Sequence, residues 1–246
     1  MTIISSRIAR SNCLLATLSR PTLDRILRDL QLTPLATRQS LQKRSEPVGE
    51  VIFPVTGVAS MVSMGATGDS VEVATIGCEG MVGLPLFLGG DAASVDVFVQ
   101  VPGEGLRLPA KQFKHHVGRE PSLLQTLLRY TQALLTQVAQ CSACNVYHTV
   151  EARCARWLLQ THDRVKGDKF QLTQEFLGLM LGVRRASVTE AAQALQGRKL
   201  IRYTRGTIEV FDRKGLEAAA CDCYHLINSE CERLLASRPR RRTGAK

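Results

Sequence analysis

The sequence lacks a hydrophobic run long enough to cross a bilayer, which takes about 20 apolar residues. The longest candidate, residues 80–90, is bounded by Glu79 and Asp91 and is too short. The apolar patch at residues 13–18 is shorter than most signal-peptide cores, and no small-residue cleavage pattern follows it. We therefore expect a cytoplasmic protein without a membrane partner.

The sequence also lacks the common motifs of enzyme active sites. No Gly-rich phosphate loop follows a predicted strand, no Gly-x-Ser-x-Gly elbow occurs, and no pair of histidines has metal-binding spacing on a helix. Residues 51–108 contain no histidine, whereas a barrel enzyme would need histidines and carboxylates on such strands. We therefore predict no catalytic residues and a protein that is not an enzyme.

Cysteine is too sparse for a disulfide-rich scaffold. The eight cysteines are scattered over 246 residues, whereas small secreted domains concentrate them. Two spacings each offer half of a metal-binding motif, namely Cys141-x-x-Cys144 and Cys221-x-Cys223. Because no second pair of the right spacing completes either half, we interpret these residues as reduced, packed thiols. We predict no metal and no cofactor.

Positive charge is concentrated in the C-terminal part of the chain. The net charge is +10. Residues 1–149 contain 13 Lys and Arg against 11 Asp and Glu, whereas residues 150–246 contain 19 against 11. A near-neutral region joined to a strongly basic one suggests a polyanionic partner, most simply nucleic acid. Residues 238–242 form a basic tail that we predict to be disordered.

The N-terminal half predicts a helix followed by a β-rich domain. Leucine and isoleucine recur at helical spacing within residues 20–31, and Thr22 or Asp24 can start this helix. Short β-forming segments separated by Gly, Asp and Pro then predict a small barrel or sandwich. These segments are residues 51–55, 58–64, 70–76, 95–101 and 105–108.

The longest candidate helix covers residues 122–145, which contain neither Gly nor Pro. Its apolar stripe follows the 3-4 repeat of a coiled-coil seam and comprises Leu124, Leu127, Leu128, Thr131, Leu134, Leu135, Val138 and Cys141. Such a helix can pack on its own domain or pair with a second copy of the chain. We favour the dimer because the helix leaves the β-rich domain and precedes the basic region.

Two shorter features flank this helix. His115 and His116 precede it and are expected to form a surface pair. Residues 148–165 predict a further helix, in which Trp157 faces the core, and residues 166–169 predict a turn.

Residues 172–196 have the pattern of a helix-turn-helix. Thr173 is a good N-cap for the first helix, and Glu175 lies in its first turn. Gly178 lies where a second helix must approach closely, and Gly182 ends the first helix and makes the turn. Val183 is expected to be a buried anchor. The second helix is predicted to begin at about residue 184. Four of its residues are expected to face the core: Val188, Ala191, Ala192 and Leu195.

A wing follows the two helices. Residues 200–203 and 207–210 predict short strands around a tight turn at residues 204–206. Together with the charge, this pattern predicts binding to double-stranded DNA. The alternative is a ligand-sensing or protein-interaction module whose winged helix contacts a protein partner. Salt-sensitive DNA affinity separates the two, because phosphate contacts release counterions.

The outward residues of the second helix and the wing are the candidate DNA contacts. Arg185 is predicted to contact guanine O6 and N7, and Glu190 to accept from a cytosine amino group or to orient an arginine. Ser187 and Thr189 are candidates for a phosphate or a base. The other predicted DNA-binding residues are Thr173, Arg184, Gln193, Lys199, Arg202 and Arg205, of which the cations are assigned to phosphates.

Over residues 15–225 the sequence resembles the Crp/Fnr family of transcription regulators, the family of the cyclic-AMP receptor protein and the fumarate-nitrate regulator. The resemblance is strongest over LTQEFLGLMLGVRRASVTEAAQALQ and the wing RKLIRYTRGTIEVFDRKGLE. It extends to VEARCARWLL and CDCY around this region, and to FPVTGVASMVSM and VEVATIGCEGMVG in the β-rich domain.

The resemblance implies an α+β chain with four parts. These are an N-terminal double-stranded β-roll of the cyclic-nucleotide-binding type with its N-terminal helix (residues 1–120), a long dimerisation helix (121–147), a C-terminal winged helix-turn-helix (148–220), and a C-terminal helix with the basic tail (221–246). It also implies a homodimer on a near-palindromic site, with recognition helices about 34–36 Å apart. RNA polymerase is a further candidate partner.

The expected effector pocket departs from the family pattern. Cyclic-nucleotide binders resemble one another in a Gly-Glu-x-Gly stretch that holds the ribose and a later arginine that holds the phosphate. Here the matching residues are Gly80-Met81-Val82-Gly83 and, downstream, Ala93-Ser94, with no cation anywhere in residues 84–106. An apolar pocket is a poor phosphate site. We therefore predict either a more apolar effector than cyclic AMP or no effector.

The iron–sulfur branch of the family is also disfavoured. Members of that branch resemble one another in a cluster of N-terminal cysteines, with one more cysteine further along the chain. Here the N-terminal region has only Cys13, and Cys78 is far from it in sequence.

Overall fold

The structure is a computed structural model that describes residues 4–65, 70–90 and 92–235. It begins with the helices α1 (Ser6–Ala9), α2 (Cys13–Ala16) and α3 (Arg20–Leu27). The start of α3 differs from both expected residues, because the hydroxyl of Ser19 caps it by accepting from the N–H of Thr22 at 3.4 Å. The helix is also shorter than predicted, since residues 31–35 join a sheet.

The β-rich domain is a double-stranded β-roll made of two antiparallel sheets. Its strands are β1 (Gln31–Leu35), β2 (Ser40–Gln42), β3 (Glu50–Pro54), β4 (Val58–Met64), β5 (Ser70–Ile76), β6 (Asp96–Val101) and β7 (Gly103–Pro109). One sheet has the order β1-β7-β3 and the other β2-β6-β4-β5. The five predicted segments appear as β3 to β7. The sequence did not indicate β1, which contains Pro34, or β2, which has only three residues.

Helices close the β-roll and lead out of it. A short helix, α4 (Pro85–Leu88), follows β5, and α5 (Ala110–Arg119) follows β7. The expectation of a surface histidine pair is wrong for His116, whose Nε2 lies 2.7 Å from Asp29 Oδ2 in a buried position. His116 shares a face of α5 with the fully buried Phe113, three residues earlier, and this spacing places both side chains toward the core.

The long helix α6 (Pro121–Tyr147) packs one face against the β-roll. Leu123, Leu127, Tyr130 and Leu134 join the core of that domain. The predicted apolar stripe therefore divides into two. Part of it, including Leu127 and Leu134, is buried within this chain, whereas Leu128 and Leu135 on the other side are exposed.

The C-terminal region consists of short helices around a three-stranded sheet of order β8-β10-β9. Its elements are α7 (Val150–His162), β8 (Lys169–Gln171), α8 (Gln174–Leu181), α9 (Arg185–Gly197), β9 (Ile201–Thr204), β10 (Thr207–Val210), α10 (Arg213–Ala219) and α11 (Cys223–Leu235). Trp157 is buried in its core, as predicted. Lys169 begins a strand instead of ending a turn, because β8 pairs with β10.

The C-terminal region packs on the β-roll through a small set of polar and aromatic contacts. The indole N–H of Trp157 donates to Glu72 Oε1 at 2.8 Å, and Arg164 donates to Glu79 Oε1 through Nε and Nη2 at 2.9 and 2.8 Å. The rings of Phe98 and Phe176 meet edge to face, with centroids 5.9 Å apart. In the described parts of the chain, no helix combines the length and apolarity needed to cross a membrane. The predicted basic tail lies outside the described residues.

Candidate nucleic-acid interface

The two helices α8 and α9 form the predicted helix-turn-helix. Thr173 caps α8 by accepting from the N–H of Phe176 at 3.1 Å. Gly182 ends it with a φ of +62°, a conformation that glycine adopts without strain. A Cβ on Gly178 would lie 3.0 Å from the carbonyl oxygen of Val183, so the predicted close approach is confirmed. Val183 itself is half-buried and not fully buried as expected.

The helix α9 has one face in the core and one face open. Its inward residues are buried as predicted: Val188, Ala191, Ala192 and Leu195. On the open face, Arg184, Arg185, Glu190 and Gln193 are exposed, and Ser187 and Thr189 are half-buried. A helix anchored in this way presents its first turn as a rigid, polar edge of the kind that enters a major groove.

Thr189 already has a role within the motif. Its hydroxyl lies 3.0 Å from Gln174 Oε1 and 3.0 Å from the carbonyl oxygen of Arg185. It therefore joins α9 to the first turn of α8. Pattern reasoning did not single out Gln174, because a polar residue in the first turn of a helix is typical of solvent exposure.

The wing is a hairpin with a two-residue turn. Thr204 pairs with Thr207, and the turn residues Arg205 and Gly206 have φ values of +46° and +79°. Two successive positive φ angles are typical of the type I′ turn that matches the twist of a hairpin. Arg205 is exposed at the tip. Its side chain is therefore accessible to a partner at the turn of the hairpin.

The predicted phosphate-contacting cations differ in their surroundings. Arg184, Lys199 and Arg205 are exposed, and within residues 4–65, 70–90 and 92–235 none of them pairs with a carboxylate. Arg202 lies over the ring of Phe211, 4.7 Å from its centroid, with Nη1 4.0 Å from Glu209 Oε2. Its charge is thus partly engaged within the wing.

A buried arginine on α7 supports the helix-turn-helix from the side of the core. The guanidinium of Arg153 on α7 donates a hydrogen bond to the carbonyl oxygen of Leu181, at the end of α8. Sequence reasoning missed this residue. The available signal was its position on α7 next to Cys154 and close to Trp157, both of which face the core.

Part of the predicted effector site lines a cavity of about 450 Å³ between the β-roll and α6. Met81, Gly83 and Ser94 line it, whereas Gly80, Val82 and Ala93 do not. The helix α6 contributes Thr131, Leu134, Leu135 and Val138, and the remaining walls include Met61, Leu84 and Val97. None of the described residues that line the cavity carries a charge.

The cysteines form two groups that the sequence did not reveal. All eight are free thiols. Cys13 and Cys78, although distant in sequence, are adjacent, since the N–H of Cys13 donates to the carbonyl of Cys78 at 2.7 Å. Cys144, Cys221 and Cys223 converge with His148, and their four potential ligand atoms lie within 4.8 Å of one another. The two half motifs of the sequence therefore meet in space.

The fold defines a class of protein: a winged helix-turn-helix protein with a cyclic-nucleotide-binding-like β-roll. Residues 152–219 match the family described as the Crp-like helix-turn-helix domain. The chain thus contains a Crp-like helix-turn-helix domain, and it has the fold of Crp/Fnr-family transcription regulators.

Three solved structures illustrate the shared fold. FixK2 from Bradyrhizobium japonicum superposes with a TM-score of 0.67 at 16% identity, covering 78% of this chain and 98% of that one. TTHB099, a CRP-family regulator from Thermus thermophilus, gives 0.65 at 18% identity, covering 76% and 96%. The c-di-GMP-responsive regulator CLP from Xanthomonas campestris gives 0.62 at 16% identity, covering 78% and 99%. No curated protein matches the sequence.

Proposed function

We propose that this protein regulates transcription by binding a near-palindromic DNA site as a homodimer, under the control of an effector other than cyclic AMP or of none. The observation that carries the proposal is the open face of α9, where Arg184 and Arg185 are exposed and form no ion pair with a carboxylate of the described residues, together with the exposed Arg205 of the wing. Unpaired cations at a groove-reading helix and at a wing tip suit base edges and phosphates, respectively.

The test is selection of genomic fragments by the purified full-length protein without added effector. We expect enrichment of a two-fold symmetric motif with half-sites about one helical turn apart, and an affinity that falls steeply with salt. Arg28→Ala is a suitable control, because Arg28 is an exposed cation on the β-roll side of the chain. No enrichment, together with salt-insensitive DNA binding, would favour the alternative of a winged helix that contacts a protein.

The open side of α6 supports the dimer. Leu128 and Leu135 are 48% and 65% exposed, and Leu124, Thr131 and Val138 lie at the same 3-4 spacing, half-buried. Two such helices side by side would bury these residues against their copies. We expect Leu135→Asp to yield a monomer in sedimentation analysis and Leu226→Asp, which changes an exposed leucine on α11, to leave the dimer intact. A monomeric unmodified protein at micromolar concentration would contradict this part of the proposal.

The uncharged cavity supports an effector unlike a nucleotide. A cyclic phosphate without a cation or a dense set of donors is held poorly, and among the described residues that line the cavity there is neither a charged side chain nor an arginine. Leu135 and Val138 line the cavity and also belong to the proposed dimer seam. An apolar ligand in the cavity would therefore contact the dimer interface directly. We expect a fluorescent cyclic AMP analogue and c-di-GMP to leave the protein unbound, and micromolar affinity for either would overturn this expectation.

A further inference from the structure

Four side chains with metal-binding atoms converge where the long helix ends. Cys144 lies in the last turn of α6, His148 lies between α6 and α7, and Cys221 and Cys223 stand at the start of α11. All three cysteines are buried, and the side chain of His148 is 31% exposed. The four potential ligand atoms lie within 4.8 Å of one another.

We propose that Cys144, His148, Cys221 and Cys223 bind one zinc ion as a structural site. A tetrahedral zinc ion with Zn–S distances of about 2.3 Å and Zn–N distances of about 2.0–2.1 Å holds its ligand atoms about 3.6–3.8 Å apart. The sulfurs of Cys144 and Cys221 are 3.4 Å apart, and Cys223 Sγ is 3.5 Å from His148 Nδ1. The side chains thus need to move by less than about 1 Å to surround one ion.

The charges around the cluster favour an anionic metal centre. Zinc with three thiolates and a neutral imidazole carries a net charge of −1. Arg153 and Arg156 are buried close to these thiols, and neither forms an ion pair with a carboxylate in the part of the chain that the structure describes. Their Nε atoms are also without a partner there. Buried cations require a compensating charge, and the thiolates of the proposed site supply it.

Two neighbours orient the ligands. His148 turns Nδ1 toward Cys223 and Nε2 toward Asp222 Oδ1, which is 3.5 Å away. A carboxylate behind the free ring nitrogen is the usual partner of a metal-bound histidine, because it fixes the ring and strengthens the ligand. Gln140 Nε2 donates to Cys223 Sγ at 3.1 Å, which stabilises a thiolate. A disulfide between Cys144 and Cys221 would use only two of the four groups.

A zinc ion here would act on the joint between the long helix and the DNA-binding region. His148 is the extended residue at which the chain leaves α6, with φ −112° and ψ 146°. Cys221 and Cys223 bring the start of α11, which packs back along α6, to the same point. The ion would therefore tie the end of α6, the joint and α11 together and fix the angle at which α7 departs.

The test begins with the unmodified full-length chain, purified with reductant and without chelator. We expect one zinc per chain by mass spectrometry of the metal content. After removal of zinc, added Co²⁺ should give the intense visible and thiolate charge-transfer absorption of a tetrahedral thiolate site. Neither measurement depends on DNA binding, so failure of the proposed regulatory function would leave it unaffected.

Variants then assign the ligands. Cys223→Ser and His148→Ala should lose stoichiometric zinc, whereas Cys13→Ser, which removes an exposed thiol outside the cluster, should retain it. Asp222→Asn should keep the tetrahedral cobalt spectrum but lower the affinity about 10–100-fold, as loss of such a carboxylate typically does. The proposal is overturned if the unmodified protein contains no zinc and gives no tetrahedral cobalt spectrum. A Cys144–Cys221 disulfide in freshly purified, metal-free protein would also overturn it.

Discussion

The C-terminal region has two faces that differ in whether their charged side chains are buried and paired. Toward the β-roll, charged groups are few, buried and individually partnered, as with Arg164 and Glu79 or Glu72 and Trp157. Toward solvent, Arg184 and Arg185 of α9 and Arg205 of the wing are exposed, and none of them pairs with a carboxylate of the described chain. The first face holds the molecule together, and the second is available for a polyanion.

Mutations on the two faces should therefore change different quantities, namely the free energy of unfolding for the packed face and DNA affinity for the open face. A substitution on the packed face leaves a buried group without its partner, so it changes the free energy of unfolding. A substitution on the open face removes a charge that has no partner in the free protein, so it changes DNA affinity and leaves stability nearly constant.

Arg164→Ala should produce the largest loss of stability. The change leaves Glu79 poorly compensated, since burial opposes its ionisation and its pKa is lowered only because Arg164 and two backbone N–H groups together outweigh burial. We expect a loss of about 2–4 kcal/mol in urea unfolding at neutral pH. Arg233→Ala, which breaks the exposed pair with Glu230, is the control and should cost less than about 1 kcal/mol. Equal losses of stability in the two variants would show that the Arg164–Glu79 pair contributes no more than an exposed ion pair.

Glu72→Gln should have the opposite sign. Burial raises the pKa of Glu72 to about 7, against the opposing effects of Ser60, Arg156, Trp157 and Arg164. Because the pKa of this carboxyl is higher in the folded state than in the unfolded state, the folded state holds the proton to higher pH. The free energy of unfolding therefore falls as pH rises from about 4.5 to about 7.

Glutamine keeps an acceptor for Trp157 and has no charge to bury. We expect Glu72→Gln to stabilise the protein by about 1–3 kcal/mol at pH 8, with the gain shrinking as pH falls from about 7 to about 4.5. Thermal unfolding of both proteins across this pH range measures the gain. A stabilisation that is the same at pH 8 and pH 4.5 would mean that the carboxyl is not the cause.

Sequence periodicity was sufficient for the open face and insufficient for the packed one. The 3.6-residue spacing of Val188, Ala191 and Leu195 orients α9 without knowledge of any neighbour. The contacts of the packed face join residues far apart in the chain, such as Glu72 and Trp157, which are 85 positions apart. No local pattern encodes such a pairing, because it is decided by how the domains dock.

The same reason explains the other departures from expectation. His116 looked like half of a surface pair because its partner Asp29 lies 87 positions earlier. Cys144 and Cys221 are 77 positions apart, so each half motif looked incomplete. By contrast, the Gly80–Gly83 stretch is a local pattern, and Met81 within it lines a cavity in which no described residue carries a charge; the expectation about the effector stays a prediction.

Arg185→Ala should weaken binding to the selected DNA site by about 1–3 kcal/mol and relax the preference at one base position of each half-site. Arg185 is exposed on the first turn of α9, and its guanidinium pairs with no carboxylate among the described residues. We therefore expect its unfolding curve to match that of the unmodified chain. Fluorescence anisotropy with the site and with single-base variants measures the effect. Unchanged binding across all sequences would remove Arg185 from the proposed base contacts.

Arg205→Ala should have the smallest effect and a different signature. The wing tip can reach a phosphate but presents a single flexible cation, so its loss should weaken binding to specific and unrelated DNA by a similar factor. Each lost phosphate contact reduces the slope of log affinity against log salt by about 1 per protomer. Titrations at several salt concentrations, with Arg202→Ala for comparison, isolate this effect. Because Arg202 is held over Phe211 and near Glu209, its removal should change the slope less. A larger change for Arg202 would mean that the wing rearranges when it meets DNA.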